Sequence, residues 1–420
     1  MASASDERRR AARLLIRVEE GAFAARLLDV ETAPGVRARV LGVVRWQRAL
    51  DEALGRHLRR PLERLDPEVR AALRLGAFEI VHLGVPRPVA TDAVVRLARR
   101  LGKSSAAGLV NAVLRRVAPV EPGSEVGPDL AWSHPEWLWR RWRDAFGAEA
   151  AEAAMASAQS PAPAWVWFAG DAARAEVEAA GAVLEPHPWC PGAWRAAEGQ
   201  AMVMAAVAEG RAVVQDPSSQ LVPRLAVALS GGGRALDLCA APGGKTALLE
   251  RLGSWSLLVA ADLGLARAAR LQRRLAAHGA VPVVAGDAGR PPFRHGGWDL
   301  VLLDAPCSGT GTFRRHPELK WRLNPDSVAN SASAQASMIG PALELLAPGG
   351  VLVYATCSVE AEENEAHFEG LPGGFDRVVP GEFMPAGGPW IDTATGGVRI
   401  LPHEHGDGFT IHAVRRSRPT

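Results

Sequence analysis

Lysine is nearly missing from this chain: of 48 basic residues in 420, only Lys103, Lys245 and Lys320 are lysines. Arginine serves almost everywhere that generic positive charge suffices, which suggests that the two lysines lying in motifs, Lys245 and Lys320, stand where a compact ammonium matters more than a planar fork. Cysteine is also scarce, and four in a chain of this length exclude a disulfide framework. The single tyrosine, Tyr354, stands three residues before Cys357. Apolar runs are short and broken by Arg or Gly, which leaves no membrane span. The opening Met1-Ala-Ser-Ala-Ser-Asp-Glu-Arg-Arg-Arg10 lacks an apolar core, so no secretory signal is expected and a bacterial-type cytoplasm fits best. A G-x-G-x-x-G motif is absent, which argues against a nicotinamide dehydrogenase.

What is present is a soluble globular composition, 48% apolar and 22% charged, long enough for two or three domains. The net charge of +2 hides an asymmetry. Residues 1–120 hold 23 Lys/Arg against 13 Asp/Glu, and the remainder holds 25 against 33. A basic first third joined to an acidic remainder points to a polyanionic partner for the former, nucleic acid above all.

Helical periodicity predicts segments at 9–18, 37–54, 67–83 and 91–118, punctuated by Pro61, Pro67, Pro86 and Pro88. Residues 119–129 read as a linker. In the Trp/Arg-rich stretch that follows, Ser133 is expected to cap a helix that Gly147 closes. Residues 161–210 read as a short α+β segment with a strand at 164–168, and from about residue 212 strands alternate with helices. The apolar runs end at Leu238, Ala261, Ala285, Leu303 and Tyr354. The expected architecture is α/β with a doubly wound, mostly parallel sheet, behind an all-α bundle and a small α+β region. The expected boundaries are 1–125, 126–210 and 211–420.

The first strand of the α/β part runs into Cys239-Ala-Ala-Pro242-Gly243-Gly244-Lys245-Thr246. A strand, a glycine turn and a helix N-terminus suit a nucleoside-bearing ligand. Asp262 ends the next strand, where a carboxylate can accept both ribose hydroxyls, and Asp287 follows the third, placed for an adenine amino group. The combination favours an adenosyl cofactor without a second nucleotide. A P-loop is the competing reading, since Cys239–Thr246 is one residue short of G-x-x-x-x-G-K-[ST]; Pro242, however, removes an amide from the loop that would cradle phosphate. Cys307 in Asp304-Ala-Pro-Cys307 and Cys357 in Tyr354-Ala-Thr-Cys357-Ser358 each follow an apolar strand, where segments line the ligand crevice. Either alone is better explained by packing.

With these residues assembled, the chain resembles the RNA 5-methylcytosine methyltransferases, specifically the bacterial 16S rRNA enzymes of RsmB type with a NusB-like N-terminal domain. The motifs carrying this are Val214-Gln-Asp-Pro-Ser-Ser-Gln220, the 239–246 turn, Asp304-Ala-Pro-Cys307-Ser-Gly-Thr-Gly311, Arg314-Arg-His-Pro-Glu-Leu-Lys320-Trp321, and Tyr354-Ala-Thr-Cys357-Ser358 with Glu363-Asn364-Glu365. Upstream, Val43-Val-Arg45, Leu73-Arg-Leu-Gly76 and Leu109-Val-Asn111-Ala-Val-Leu-Arg115-Arg116 resemble the NusB-like domain. Residues 164–168 depart from an Arg-Val-Asn-like strand, and Thr410 and His412 from an aromatic and a small residue. The first departure bears on RNA contacts of the middle region, the second on strand packing.

The resemblance implies a Rossmann-like fold, S-adenosyl-L-methionine as cofactor, and methylation of cytosine C5 in single-stranded or unfolded 16S rRNA. It implies cofactor contacts from Cys239, Ala240, Ala241, Pro242, Gly243, Gly244, Lys245, Asp262, Arg267, Asp287 and Asp304. It implies catalysis by Cys357, Cys307, Asp304 and Lys245, with neither metal nor membrane, and a monomer. A thiolate adding at C6 makes C5 enamine-like and able to take a methyl group. In the family pattern Cys357 is that nucleophile and Cys307 assists product release; the residues alone leave the order open, since DNA cytosine-5 enzymes use a Pro-Cys like Pro306-Cys307. Asp304 is placed for the cytosine N3/N4 edge, and Lys245 to lower a thiol's pKa or hold cofactor or base. Arg314, Arg315 and Lys320 are expected at phosphates, with Trp321 packing. Two alternatives stay open: the same chemistry on tRNA or another rRNA, and a non-catalytic NusB-like RNA-binding or ribosome assembly factor.

Overall fold

Apolar residues at three- and four-residue spacing bury one stripe of each helix in the first third, and the stripes meet in one core that includes Leu50, Leu54, Leu73, Leu75, Val94 and Leu114. A computed structural model of the chain describes residues 4–28, 32–121, 123, 126–276, 279 and 281–418. Positions 1–3, and 122, 124 and 125 of the expected linker, lie outside the described residues. The helices are Ala4–Glu19, Ala24–Leu27, Pro34–Arg45, Gln47–Gly55, Pro67–Val81, Arg87–Arg100 and Ala107–Leu114, followed by Pro128–Ala131, Glu136–Phe146 and Ala148–Ser157.

Two expected helices are interrupted. The 37–54 segment breaks at Trp46, whose φ/ψ of −99°/14° leaves the helical basin. The 91–118 segment stops at Leu101 because Gly102 takes φ +79° and Lys103 N closes back on Ala98 O. Ser133 caps a different helix from the one expected. It is fully buried, and its Oγ accepts from Arg48 N (3.0 Å) and Ala49 N (3.3 Å), the first turn of Gln47–Gly55. The Trp-rich helix Glu136–Phe146 starts behind Pro135 without a side-chain cap, and Gly147 does close it, at φ +85°.

By packing the chain divides into two units, Met1–Pro161 with Phe313–Arg322, and Ala162–Thr312 with Leu323–Thr420. In the second unit a four-stranded antiparallel sheet combines β1 (Val166–Phe168), β2 (Val183–Pro186), β3 (Trp194–Glu198) and β4 (Ala212–Val214) in the order β2-β3-β1-β4.

The large sheet contains β5 (Gly233–Asp237), β6 (Trp255–Asp262), β7 (Val283–Ala285), β8 (Trp298–Asp304), β9 (Leu346–Thr356), β10 (Phe375–Val378), β11 (Trp390–Asp392), β12 (Val398–Ile400) and β13 (Phe409–Arg416). Its order is β11-β12-β13-β9-β8-β5-β6-β7, with β10 on β13. Strands β5 to β9 are parallel, and those after β9 join antiparallel, so the sheet is mixed. The cause is local: no long helix separates the strands after residue 356, and a parallel pair needs such a crossover.

The run Leu300-Val-Leu-Leu303 is apolar throughout because both faces are covered. Leu300 and Leu302 enter the core with Leu225, Leu248 and Leu271, while Val301 and Leu303 enter the opposite one with Ile339 and Leu343. No described helix is long and apolar enough to cross a membrane.

Candidate active site

Parallel pairing brings the ends of β9, β8, β5 and β6 side by side at one edge, and a residue singled out by sequence lies at each end or within two residues of it. Asp304 of β8 lies opposite Ala355 of β9, and Ala305 N donates to Ala355 O. Two to three residues further on, Cys307 Sγ and Cys357 Sγ stand 3.3 Å apart. Strand register thus joins two cysteines 50 residues apart. The Cys307 thiol is pushed well above its ordinary value, first by its hydrogen bond to Cys357, then by burial, and then by the charges of Cys357, Glu363 and Asp304. At Gly311 the chain approaches Gly408 so closely that a Cβ would lie 2.2 Å from the Gly408 carbonyl oxygen; Gly311 N donates to Cys357 O and Gly408 N to Gly311 O.

Beside the thiols, Lys245 Nζ donates to Asp304 Oδ2 at 2.6 Å and lies 5.1 Å from the Phe409 ring centroid. Lys245 is therefore a carboxylate partner and makes no hydrogen bond to a thiol. Both residues line a cleft with Asp237, Cys239, Pro242 and Gly244. The turn is built as its residues demand. Gly243 has φ +106°, a conformation open to glycine, and the helix Gly244–Leu252 starts immediately after it. The Ala241–Pro242 peptide is cis.

Asp262 Oδ2 accepts from Ala241 N (2.8 Å), and its Oδ1 pairs with Arg267 Nε at 3.0 Å. Buried Asp237 accepts from Thr246 Oγ1, while its Oδ1 has no protein partner; burial raises this carboxyl to about 7. Burial also raises the Cys239 thiol. Asp287 is exposed, on the turn after β7, where its Oδ1 accepts from Gly289 N (2.9 Å). Ala240 N is bonded to Ala261 O. The arrangement suits a ligand bearing an amino group and a ribose diol, because an unpartnered buried oxygen and two strand-end carboxylates face the same turn.

Several neighbours carried no sequence-derived role. Asp216 caps the helix Pro217–Ser230 and also accepts from Asp407 N, while Ser218 Oγ donates to Asp407 O; this joins the 214–220 motif to 407–409. Thr410 does more than pack a strand: its hydroxyl donates to Ser358 O, one residue after Cys357. His412 stacks on Phe368 at 4.5 Å, and burial drives it down to about 3.

The expected phosphate contacts need correction. Lys320 is 1% exposed; its Nζ donates to Arg45 O, and burial followed by the Arg45 charge holds it well below the ordinary lysine range. Arg314 is also buried, with its carbonyl accepting from Arg45 Nη2, and only Arg315 of the three is partly exposed. Trp321 does pack, with its indole N–H on Val44 O. The 314–321 motif therefore binds the Val43-Val-Arg45 motif within the helical unit, through backbone carbonyls that only a close-fitting donor reaches. Lys320→Met is expected to change unfolding stability by less than about 1 kcal/mol, because an apolar chain of similar volume replaces a buried cation. Lys320→Glu should cost about 3–5 kcal/mol by burying an uncompensated charge. Urea unfolding of the full chain checks both, and equal losses would refute the argument.

A Rossmann-like sheet with a glycine turn after β5 and carboxylates ending β6 and β8 defines an S-adenosylmethionine-dependent methyltransferase. Residues 225–415 match the 16S rRNA methyltransferase RsmB/F family and residues 5–119 the NusB family. The chain is 32% identical over 381 residues to the ribosomal RNA small subunit methyltransferase B of Klebsiella pneumoniae, covering 88% of this chain and 86% of that one. The protein of the same name from Xanthomonas campestris is 34% identical over 391 residues, with 89% and 86% covered. The crystal structure of PH0851 shares the fold, with TM-score 0.76 and 23% identity, covering 99% of this chain and 100% of that one. The chain belongs to the RsmB/F family of RNA methyltransferases.

Proposed function

We propose that the protein methylates cytosine C5 in 16S rRNA through a covalent adduct between Cys357 and C6. The observation that carries this reading is the 3.3 Å contact of Cys307 and Cys357 beside the Lys245–Asp304 pair. Two thiols in contact just past the ends of neighbouring strands suit a reaction that needs one group to add to a ring carbon and a second to help the ring go free.

Bound at the 239–244 turn, S-adenosylmethionine supplies the methyl group; Asp262, Arg267 and Asp287 are the proposed contacts for its adenosyl portion, and Asp237 adds one that sequence did not name. The Cys357 sulfur adds to C6, Asp304 holds the N3/N4 edge and favours a proton at N3, and C5 takes the methyl group. Loss of the C5 proton to Cys307 as thiolate, or to water beside it, then expels the Cys357 sulfur as a thiolate, and the proton on N3 leaves as the aromatic ring is restored. The order of the two cysteines follows the family pattern, in which the cysteine after β9 adds to the ring and the cysteine after β8 assists release. Lys245 orients Asp304 in this scheme. A monomer, and a division of roles among 1–125, 126–210 and 211–420, belong to the same proposal.

Methyl-labelled cofactor incubated with the full chain and separated 16S rRNA, 23S rRNA and tRNA tests the reading. Label in 16S rRNA as 5-methylcytosine is the expected result. Label confined to another RNA moves the substrate, and none at all, with RNA and cofactor both bound, leaves an RNA-binding assembly factor.

The helix Leu265–Leu275 supports an RNA strand beside the cleft. It carries Arg267, Arg270, Arg273 and Arg274 and no acidic residue. Arg267, Arg270 and Arg274 line a cavity of about 360 Å³ with Ala241 and Pro242. Among the described residues only Arg267 of the four has a carboxylate partner. Replacing Arg270 and Arg274 together with Glu is expected to raise the RNA KM about tenfold. The slope of log affinity against log salt should flatten by about 1.4, or 0.7 for each lost single-strand phosphate contact. An unchanged slope excludes this helix from the RNA path.

A further inference from the structure

The strand ladder that aligns β8 and β9 ends before it reaches the sulfurs, so something else must hold two loops in register. Glu363 is fully buried, on the short 3-10 turn Ala361–Glu363. Its Oε1 accepts from Ser308 N at 2.7 Å and from Gln335 Nε2 at 3.1 Å. Its Oε2 accepts from the hydroxyls of Ser308 and Ser358. Ser308 is the residue after Cys307, and Ser358 the residue after Cys357. Gln335 also donates to Pro306 O at 2.9 Å, the residue before Cys307. Asn364 completes the pattern: its Oδ1 accepts from Thr356 Oγ1 at 2.8 Å and its Nδ2 donates to Ser358 O at 3.3 Å, so it grips both neighbours of Cys357. The backbone carbonyl of Glu363 in turn accepts from the hydroxyl of Tyr354, the only tyrosine.

No Lys or Arg pairs with this carboxylate among the described residues, so its burial rests on four neutral donors. An anion taken out of water without a countercharge is costly, and for filling space alone an apolar side chain would serve better. The cost is understandable where the position of the donors matters, and every donor here adjoins a cysteine or grips the residue before one.

We propose that Glu363 is a positioning residue that holds Cys307 and Cys357 in sulfur contact by binding the serine after each. This rests on the reading of the two cysteines as the reacting pair.

Glu363→Gln preserves the shape but presents an amide N–H where two hydroxyls now donate; Glu363→Ala removes the clamp. In the full chain, hydrogen peroxide oxidises one thiol to a sulfenic acid with release of water. The second thiol then displaces a second water to form the disulfide, so the rate of Cys307–Cys357 linkage, mapped by peptide mass, reports their proximity without any need for catalysis. Both variants are expected to form this disulfide at least about tenfold more slowly and to lose about 100-fold in kcat, the scale for ångström misplacement of reacting groups. The RNA KM and cofactor affinity should stay within about twofold, since neither contact is made by Glu363.

Slower linkage in variants of a protein whose wild type methylates no RNA upholds the clamp and removes the catalytic reading. Wild-type linkage and kcat in Glu363→Gln and Glu363→Ala overturn the proposal. So does a kcat loss that vanishes once rates are corrected for the folded fraction measured by near-UV circular dichroism.

Discussion

Cys307→Ala, incubated with 16S rRNA and S-adenosylmethionine, is expected to accumulate a protein–RNA adduct on a denaturing gel, whereas Cys357→Ala forms none. The two sulfurs stand 3.3 Å apart, so loss of either leaves the other in reach of the same base. Their proposed roles differ: Cys357 adds to C6 and Cys307 takes the C5 proton. The hydrogen bond to Cys357, burial and the surrounding negative charge all raise the Cys307 thiol, so its thiolate, once formed, is a strong base for that proton. Addition at C6 needs a thiolate, the nucleophilic form of a cysteine. Removing Cys357 takes away the proposed nucleophile, and methyl transfer should fall on the order of 10⁴-fold or more, as for other nucleophile deletions. Removing Cys307 lets addition and methylation proceed but stalls elimination, with turnover down about 10²–10⁴-fold, the range for a lost general base. An adduct from Cys357→Ala instead would exchange the two roles and give the arrangement of the DNA enzymes.

The second large effect concerns Asp304. Asp304→Asn should reduce kcat by about 10²–10³-fold, the usual loss when a preorganised electrostatic contact to the reacting group is removed. The carboxylate is held by Lys245 at 2.6 Å, so its orientation is set before any base arrives. An asparagine still accepts from Lys245 and keeps the shape of the cleft, but it carries no charge to favour a proton on N3. Lys245→Met should lower kcat as well, by freeing the carboxylate. Because the two act as one unit, the double variant should be less damaging than the product of the single losses, with a coupling of about 0.5–3 kcal/mol. Strictly multiplicative losses would show that Lys245 and Asp304 act separately.

Much of the site could be read along the chain because each element announces itself locally. The glycine turn at 239–244, a carboxylate at the end of β6 and another at the end of β8, and a cysteine after each of β8 and β9 all follow from apolar runs and what closes them. The parallel half of the sheet was legible for the same reason. Errors arose where a residue's partner is distant. Ser133 looked like the cap of the helix that follows it, yet its hydroxyl serves Arg48 and Ala49. Lys320 and Arg314 looked like phosphate ligands because basic residues in a polar motif usually face water; instead the helical unit buries them against Arg45. The break at Trp46 has no helix-breaking residue to give notice of it.

The sequence by itself determined the elements and the chemistry available, since periodicity, glycine and side-chain type act within a few residues. Tertiary structure alone decided which of those side chains meet. The register of β8 on β9 put one thiol against the other, and the fold aimed Lys245 at Asp304 rather than at a sulfur. It also placed Glu363 behind both cysteine loops, where the sequence showed only a short acidic motif. Each of these is a contact between segments tens of residues apart, fixed by sheet pairing and by the need of buried polar groups for partners, and neither constraint has a local signature.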